Sequence, residues 1–159
     1  MKLVRKNILM HGSPHDSFYK KTAKKANKVF ILEGRPDLGD TVNTCANLLR
    51  LGIKPILITD NTASYCMYKG LIDEVYIFYY RKITGKVISK LGSLLFAISA
   101  NYHDVPVFAY PSDKKTYSDS FKAKDIFYFA GKKIAPPGIK FYAPTTDLVS
   151  DNLITKIFL

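Results

Sequence analysis

The chain has 159 residues, 47% of them hydrophobic and 23% charged, a balance that suits a folded domain and excludes a disordered segment. No apolar run approaches the roughly 20 residues that a membrane-spanning helix requires, so no membrane partner is expected. Lys+Arg 24 against Asp+Glu 13 leaves a formal charge of +11, which favours an anionic partner: a phosphate metabolite, a nucleic acid or an acidic protein.

The opening stretch MKLVRKNILMHGS is basic and then briefly apolar. It has neither a long apolar core nor a small-residue cleavage site, so it reads as a strand over Asn7 to His11 and not as a signal peptide. Gly12-Ser13-Pro14 ends that strand, and a helix is predicted from His15 to Asn27. Phe18, Thr22 or Ala23, and Ala26 fall on its inner side, while Lys20, Lys21, Lys24 and Lys25 cover the outer side. Those lysines form either a solvated helix face or a nucleic-acid contact. No RNA-recognition, KH, zinc-finger or helix-turn-helix signature accompanies them.

Lys28 to Asp60 organises the rest. Val29-Phe30-Ile31-Leu32 is an uninterrupted apolar run, the pattern of a strand buried on both faces. Glu33-Gly34-Arg35-Pro36 ends it, and Asp40 or Thr41 can cap a helix in which Val42, Cys45, Ala46 and Leu49 recur at helical spacing as the inner face. Gly52 follows that helix, and Lys54 to Thr59 is a second apolar strand closing on Asp60-Asn61. Strand, helix and strand in this order predict a βαβ unit with parallel strands. Ligands of such sheets bind at the carboxyl ends of strands, which places Glu33, Arg35, Asp37, Asp60 and Asn61 on the candidate edge.

Asp60-Asn61-Thr62 leads into a short helix through Tyr65, Cys66 and Met67 that stops at Gly70. A fourth strand covers Val75 to Tyr80. After a turn at Thr84-Gly85, Val87-Ile88 leads into a helix predicted from Ser89 to His103, with Leu91, Leu94, Leu95, Ile98 and Tyr102 as its apolar stripe. Val105 to Tyr110 is a fifth strand. Asp125 to Phe129 reads as another strand, Lys132 to Gly138 as a loop, and Pro144 to Ile157 as a segment containing a closing helix. The alternation predicts an α/β fold: a three-layer, Rossmann-like open parallel sheet with helices on both faces.

His11, His15 and His103 lie on separate elements without metal-ligand spacing, so no metal is expected, and no cofactor either. Cys45 and Cys66 form no C-x-x-C pair and are expected as free thiols in a reducing cytoplasm. Ser89-Lys90-Leu91-Gly92-Ser93, read as a helix start, offers free N–H groups, a lysine and hydroxyls to an anion; the alternative is an ordinary helix start with a solvated lysine. Glu33 and Arg35 either contact a ligand, pair with each other, or hold the following loop. Asp60 either binds a ligand hydroxyl or caps the short helix. Ser13 lacks an identifiable base or a glycine elbow for nucleophilic chemistry.

Several motifs in order, from Ile8-Leu9-Met10-His11 through Glu33-Gly34-Arg35-Pro36 and Ile58-Thr59-Asp60-Asn61 to Ser89-Lys90-Leu91-Gly92-Ser93 and Pro144-Thr145-Thr146, resemble one family. It joins the alpha, beta and delta subunits of translation initiation factor 2B with methylthioribose-1-phosphate and ribose-1,5-bisphosphate isomerases. The resemblance covers the family's carboxyl-terminal domain, so a single domain over residues 1–159 without the helical N-terminal domain is the expectation. It implies a phosphate-metabolite cleft built from His11, Gly12, Ser13, Glu33, Arg35, Asp60, Asn61, Ser89, Lys90, Gly92 and Ser93. It also implies self-association as a homodimer, with a separate protein subunit as a further possible partner. Where the isomerases carry a cysteine and an aspartate, this chain has Gly12 and Tyr80. Glycine has no side chain, and a phenol titrating near pH 10 is a poor base at neutral pH, so no residue is expected to be catalytic. The expected function is therefore a non-catalytic binding or regulatory domain. The alternatives are a sugar-phosphate isomerase relative acting through other residues, with His11, Ser13 and Asp60 as actors, and an RNA- or ribosome-associated basic protein.

Overall fold

The structure is a computed structural model that describes residues 5–114 and 121–159. Met1 to Val4, the beginning of the stretch read as leading into the first strand, lie outside the described residues. The elements run β1 (Asn7–His11), α1 (Asp16–Lys21), a 3-10 turn (Ala23–Lys25), β2 (Lys28–Leu32), α2 (Gly39–Arg50) and β3 (Ile56–Ile58). A second 3-10 turn (Asp60–Thr62) leads into α3 (Ala63–Tyr68), β4 (Glu74–Ile83), β5 (Lys86–Lys90), α4 (Ser93–Tyr102) and β6 (Val107–Pro111). The last part holds α5 (Ala123–Phe127), β7 (Tyr128–Phe129), β8 (Lys132–Lys133), β9 (Thr146–Ser150), a 3-10 turn (Asp151–Leu153) and β10 (Lys156–Ile157).

The main sheet runs β10-β6-β4-β1-β2-β3, all of these neighbours parallel. Alternate strand residues feed two cores, because successive side chains point to opposite faces. Leu9, Phe30, Leu32, Val75 and Ile77 pack with Met67 of α3 and Phe96 of α4 on one side. Ile8, Met10, Val29, Ile31 and Phe78 pack with Phe18 and Leu48 on the other. The three-layer α/β architecture read from the sequence is the one observed.

The second half departs from the sequence reading in ways that matter for the site. Ser89 and Lys90 do not open a helix. They end β5, an antiparallel strand held between the extended end of β4 and β9. Nor is there a closing helix between Pro144 and Ile157: β9, a 3-10 turn and β10 occupy that stretch. Asp125 to Phe127 belongs to α5, and only Tyr128 and Phe129 form a strand, paired with β8 inside the segment read as a loop. The helix expected from His15 to Asn27 divides into α1 and a 3-10 turn, with Phe18 and Ala23 buried and the four lysines exposed as expected.

Two helices also turn a different face inward. On α2, Asp40, Thr44 and Leu48 are buried, whereas Val42 is 64% and Leu49 57% exposed. The inner stripe is partly polar because the start of α2 faces the site, not only the core. On α4 the small residues Ser93, Ala97 and Ala100, with Phe96, allow close approach to the sheet. Leu94 packs partly against the core, but Leu95, Ile98 and Tyr102 point outward. With Tyr65 and Tyr68 of the neighbouring α3 they leave an exposed apolar face.

Candidate functional site

The carboxyl ends of β1 and β2 part at Gly12 and Gly34, and the end of β5 brings Lys90 between them. Gly12, Gly34 and Gly92 adopt φ of 98°, 71° and 99°, a region that disfavours any residue with a Cβ. Space is short as well as conformation: a Cβ on Gly34 would stand 3.0 Å from Lys90 Nζ, and one on Gly92 3.2 Å from His11 Nε2. Glycines at these positions let the backbone close around Lys90 and His11.

Lys90 is 1% exposed, and its ammonium donates to the Asp37 carbonyl at 2.8 Å and lies 3.5 Å from Asp40 Oδ2. Asp40, equally buried in the first turn of α2, also pairs with Lys114, which follows β6 and is 37% exposed. A buried carboxylate between two ammonium groups is one negative charge against two positive ones. The three groups meet at the carboxyl end of the sheet.

His11 adjoins it. Its Nε2 lies 2.9 Å from the Leu91 carbonyl, and since a carbonyl only accepts, Nε2 carries the proton. Burial, helped by the positive charge of Lys90, lowers its pKa to about 4. At neutral pH the ring is therefore an uncharged donor and a weak base.

The helix start expected to bind an anion is already filled from within. Asp147 of β9 accepts from Gly92 N at 2.7 Å and Leu94 N at 3.0 Å, so its carboxylate caps α4. Beside it the buried hydroxyls of Ser89 and Ser93 have no hydrogen-bond partner among the described residues.

Asp60 neither caps α3 through its side chain nor stands free for a ligand. Its two carboxylate oxygens accept from Gly34 N at 2.8 Å and Arg35 N at 2.9 Å, fixing the loop after β2. Thr41 braces the same loop by donating to the Leu32 and Glu33 carbonyls. The Arg35 guanidinium lies 4.6 Å from the centre of the Phe129 ring, so it holds the small β7–β8 hairpin and does not pair with Glu33. Asn61 is exposed and accepts from Thr59 Oγ1. Ser13 is buried, and its carbonyl accepts from Ser112 Oγ. Tyr80 sits at the irregularity in the β4–β5 register with its hydroxyl buried.

The fold thus brings together His11, Gly12, Lys90, Gly92 and Ser93 from the expected set, with Ser89 next to Lys90 in β5. Glu33, Arg35 and Asp60 shape the loop beside them, and Asn61 stays outside. Sequence reasoning missed Asp40, Lys114 and Asp147 as parts of the cluster. Lys114 carried one usable signal: it lies in the loop after a parallel strand, on the same carboxyl edge.

A protein-family model described as the initiation factor 2 subunit family matches residues 16–158. Methylthioribose-1-phosphate isomerase 1 of Pseudothermotoga lettingae is 34% identical over 144 residues, 84% of this chain and 42% of that protein. The methylthioribose-1-phosphate isomerase of Chloroflexus aurantiacus is 35% identical over 140 residues, 81% of this chain and 40% of that protein. The chain thus spans about two fifths of the length of these relatives. Among solved structures, the delta subunit of translation initiation factor eIF-2B from A. fulgidus superposes with a TM-score of 0.82 at 21% identity, covering 98% of this chain and 53% of that one. The 5-methylthioribose 1-phosphate isomerase of Pyrococcus horikoshii OT3 does so with a TM-score of 0.80 at 20% identity, covering 98% and 50%. At these identities the superpositions speak for the fold.

Proposed function

The chain belongs to the initiation factor 2 subunit family, and from that premise we propose that it is a non-catalytic member that binds a phosphorylated sugar at the Lys90 cluster. The observation that carries this reading is Asp40 between Lys90 and Lys114. Two ammonium groups match phosphate oxygens, and a carboxylate between them matches a sugar hydroxyl. The buried hydroxyls of Ser89 and Ser93, without a hydrogen-bond partner among the described residues, add further polar groups at the same end of the sheet.

Isomerisation needs a group that moves a proton at the reacting carbons. At the positions that resemble the isomerases' cysteine and aspartate stand Gly12 and Tyr80, and the nearby His11 is neutral and weakly basic. That supports binding without turnover. The apolar face of α3 and α4, with Tyr65, Tyr68, Leu95, Ile98 and Tyr102 exposed, supports self-association as a homodimer.

A thermal-shift assay with methylthioribose 1-phosphate and ribose 5-phosphate, followed by NMR of the same mixtures, tests the proposal. A ligand at 100 times its dissociation constant stabilises the fold by about 2.7 kcal/mol, a rise in Tm of about 5–10 °C for a chain of this size. The rise is expected with at least one sugar phosphate, to be lost in Lys114→Gln, and the aldose signals are expected to persist. Conversion to a ketose refutes the non-catalytic reading, and no shift with either compound refutes the site.

A further inference from the structure

A concavity lies at the other end of the sheet from the Lys90 cluster, where β1 and β4 begin. Its volume is about 440 Å³, and its rim carries Arg5, Lys6, Lys21, Lys24 and Lys25. Ile8 and Ala26 give it an apolar floor beside the Thr22 hydroxyl, and Glu74 is the single carboxylate among the lining residues. That carboxylate already accepts from Tyr76 Oη at 2.6 Å. Five cations and one carboxylate leave four net positive charges around one hollow.

The cations come from two separate segments. Arg5 and Lys6 precede β1, and the lysines come from α1 and the 3-10 turn after it. Asn27 N donates to the Lys6 carbonyl at 2.8 Å, and Lys25 N to the Thr22 carbonyl at 3.0 Å, so both backbones are tied in place. A solvated helix face would spread its lysines outward. Here Lys21, Lys24 and Lys25 share one hollow with charges from elsewhere in the chain, while the equally exposed Lys20 is not part of the lining. Like charges gathered this way repel one another unless an anion answers them.

We infer that this hollow binds a compact polyphosphate, of the nucleoside triphosphate class. Its volume falls in the range of small-molecule sites, and its apolar floor suits a nucleoside body beneath clustered phosphates. The five cations line one bounded hollow, which favours a compact polyanion over an extended phosphodiester backbone. The hollow is separate from the Lys90 cluster, which lies at the opposite ends of the strands.

Calorimetric titration of the full chain with ATP, inorganic tripolyphosphate and a short oligouridylate tests the inference. ATP and tripolyphosphate should bind. The Lys24→Gln, Lys25→Gln double variant should weaken both by about tenfold or more, and Lys20→Gln by less than about twofold. All the substituted side chains are exposed, and circular dichroism checks that the variants fold. Binding of the oligouridylate alone would make the patch a nucleic-acid surface and overturn the proposal. So would equal weakening by Lys20→Gln, or no heat with either polyphosphate.

Discussion

Lys90 and Asp40 face each other 3.5 Å apart, each with a side chain only 1% exposed, although they lie on different elements 50 residues apart in the chain. A pair this deeply buried is costly to break from one side, because the surviving charge stays in a poorly solvating place. Replacing Asp40 by Leu should therefore cost about 3–5 kcal/mol. Adding Lys90→Met should recover part of that loss by removing the stranded ammonium. Urea denaturation of the two single variants and the double variant measures the coupling, and strictly additive losses would contradict the pairing.

The His11 ring makes a separate prediction about acid. Its folded pKa of about 4 lies below the ordinary 6.5, so the unfolded chain binds the proton more readily. The stability this group contributes is therefore complete above pH 6.5 and declines as pH falls toward 4. Between pH 7 and pH 4.5 the protein should lose about 2 kcal/mol more than a His11→Gln variant, in which that titration is absent. Parallel denaturation curves at both pH values would show a constant difference if His11 were not buried as a neutral ring.

Gly34 and Gly52 share a left-handed backbone but not their surroundings. A Cβ at Gly52 meets nothing within 4 Å, whereas one at Gly34 meets both Lys90 Nζ and Thr41 Oγ1. Gly52→Ala should cost about 1 kcal/mol from backbone strain alone. Gly34→Ala should cost about 2–4 kcal/mol, strain plus overpacking, and should abolish the sugar-phosphate shift that Gly52→Ala retains. Differential scanning calorimetry with and without ligand separates the two effects.

The central parallel strands were legible because burial on both faces leaves a continuous apolar run, as in Val29 to Leu32, whereas β10, two residues long at the sheet edge, was not. The site was less legible because its residues violate the patterns that mark secondary structure. Ser89 and Lys90 are polar yet buried at the end of a strand, so they resemble a helix start. Asp40 looks like a cap, and its burial depends on Lys90, which no local pattern connects to it. The pairing of β5 with β9 is equally remote: Lys90 meets Thr146 across more than fifty residues. The outward turn of Leu95, Ile98 and Tyr102 reflects a helix apolar on most sides, where periodicity cannot choose the face.

The lodging of β5 between β4 and β9 also orders events during synthesis. As the chain leaves the ribosome, β1 to β4 and α1 to α3 can begin to pair and pack before the later strands exist. Lys90 and Gly92 emerge early, but the strand that flanks one and the carboxylate that fastens the other emerge only with Thr146 and Asp147. A nascent chain halted short of Thr146 would have the sheet's first strands and no finished site. The cluster thus has all its parts only once Thr146 and Asp147 have joined the chain.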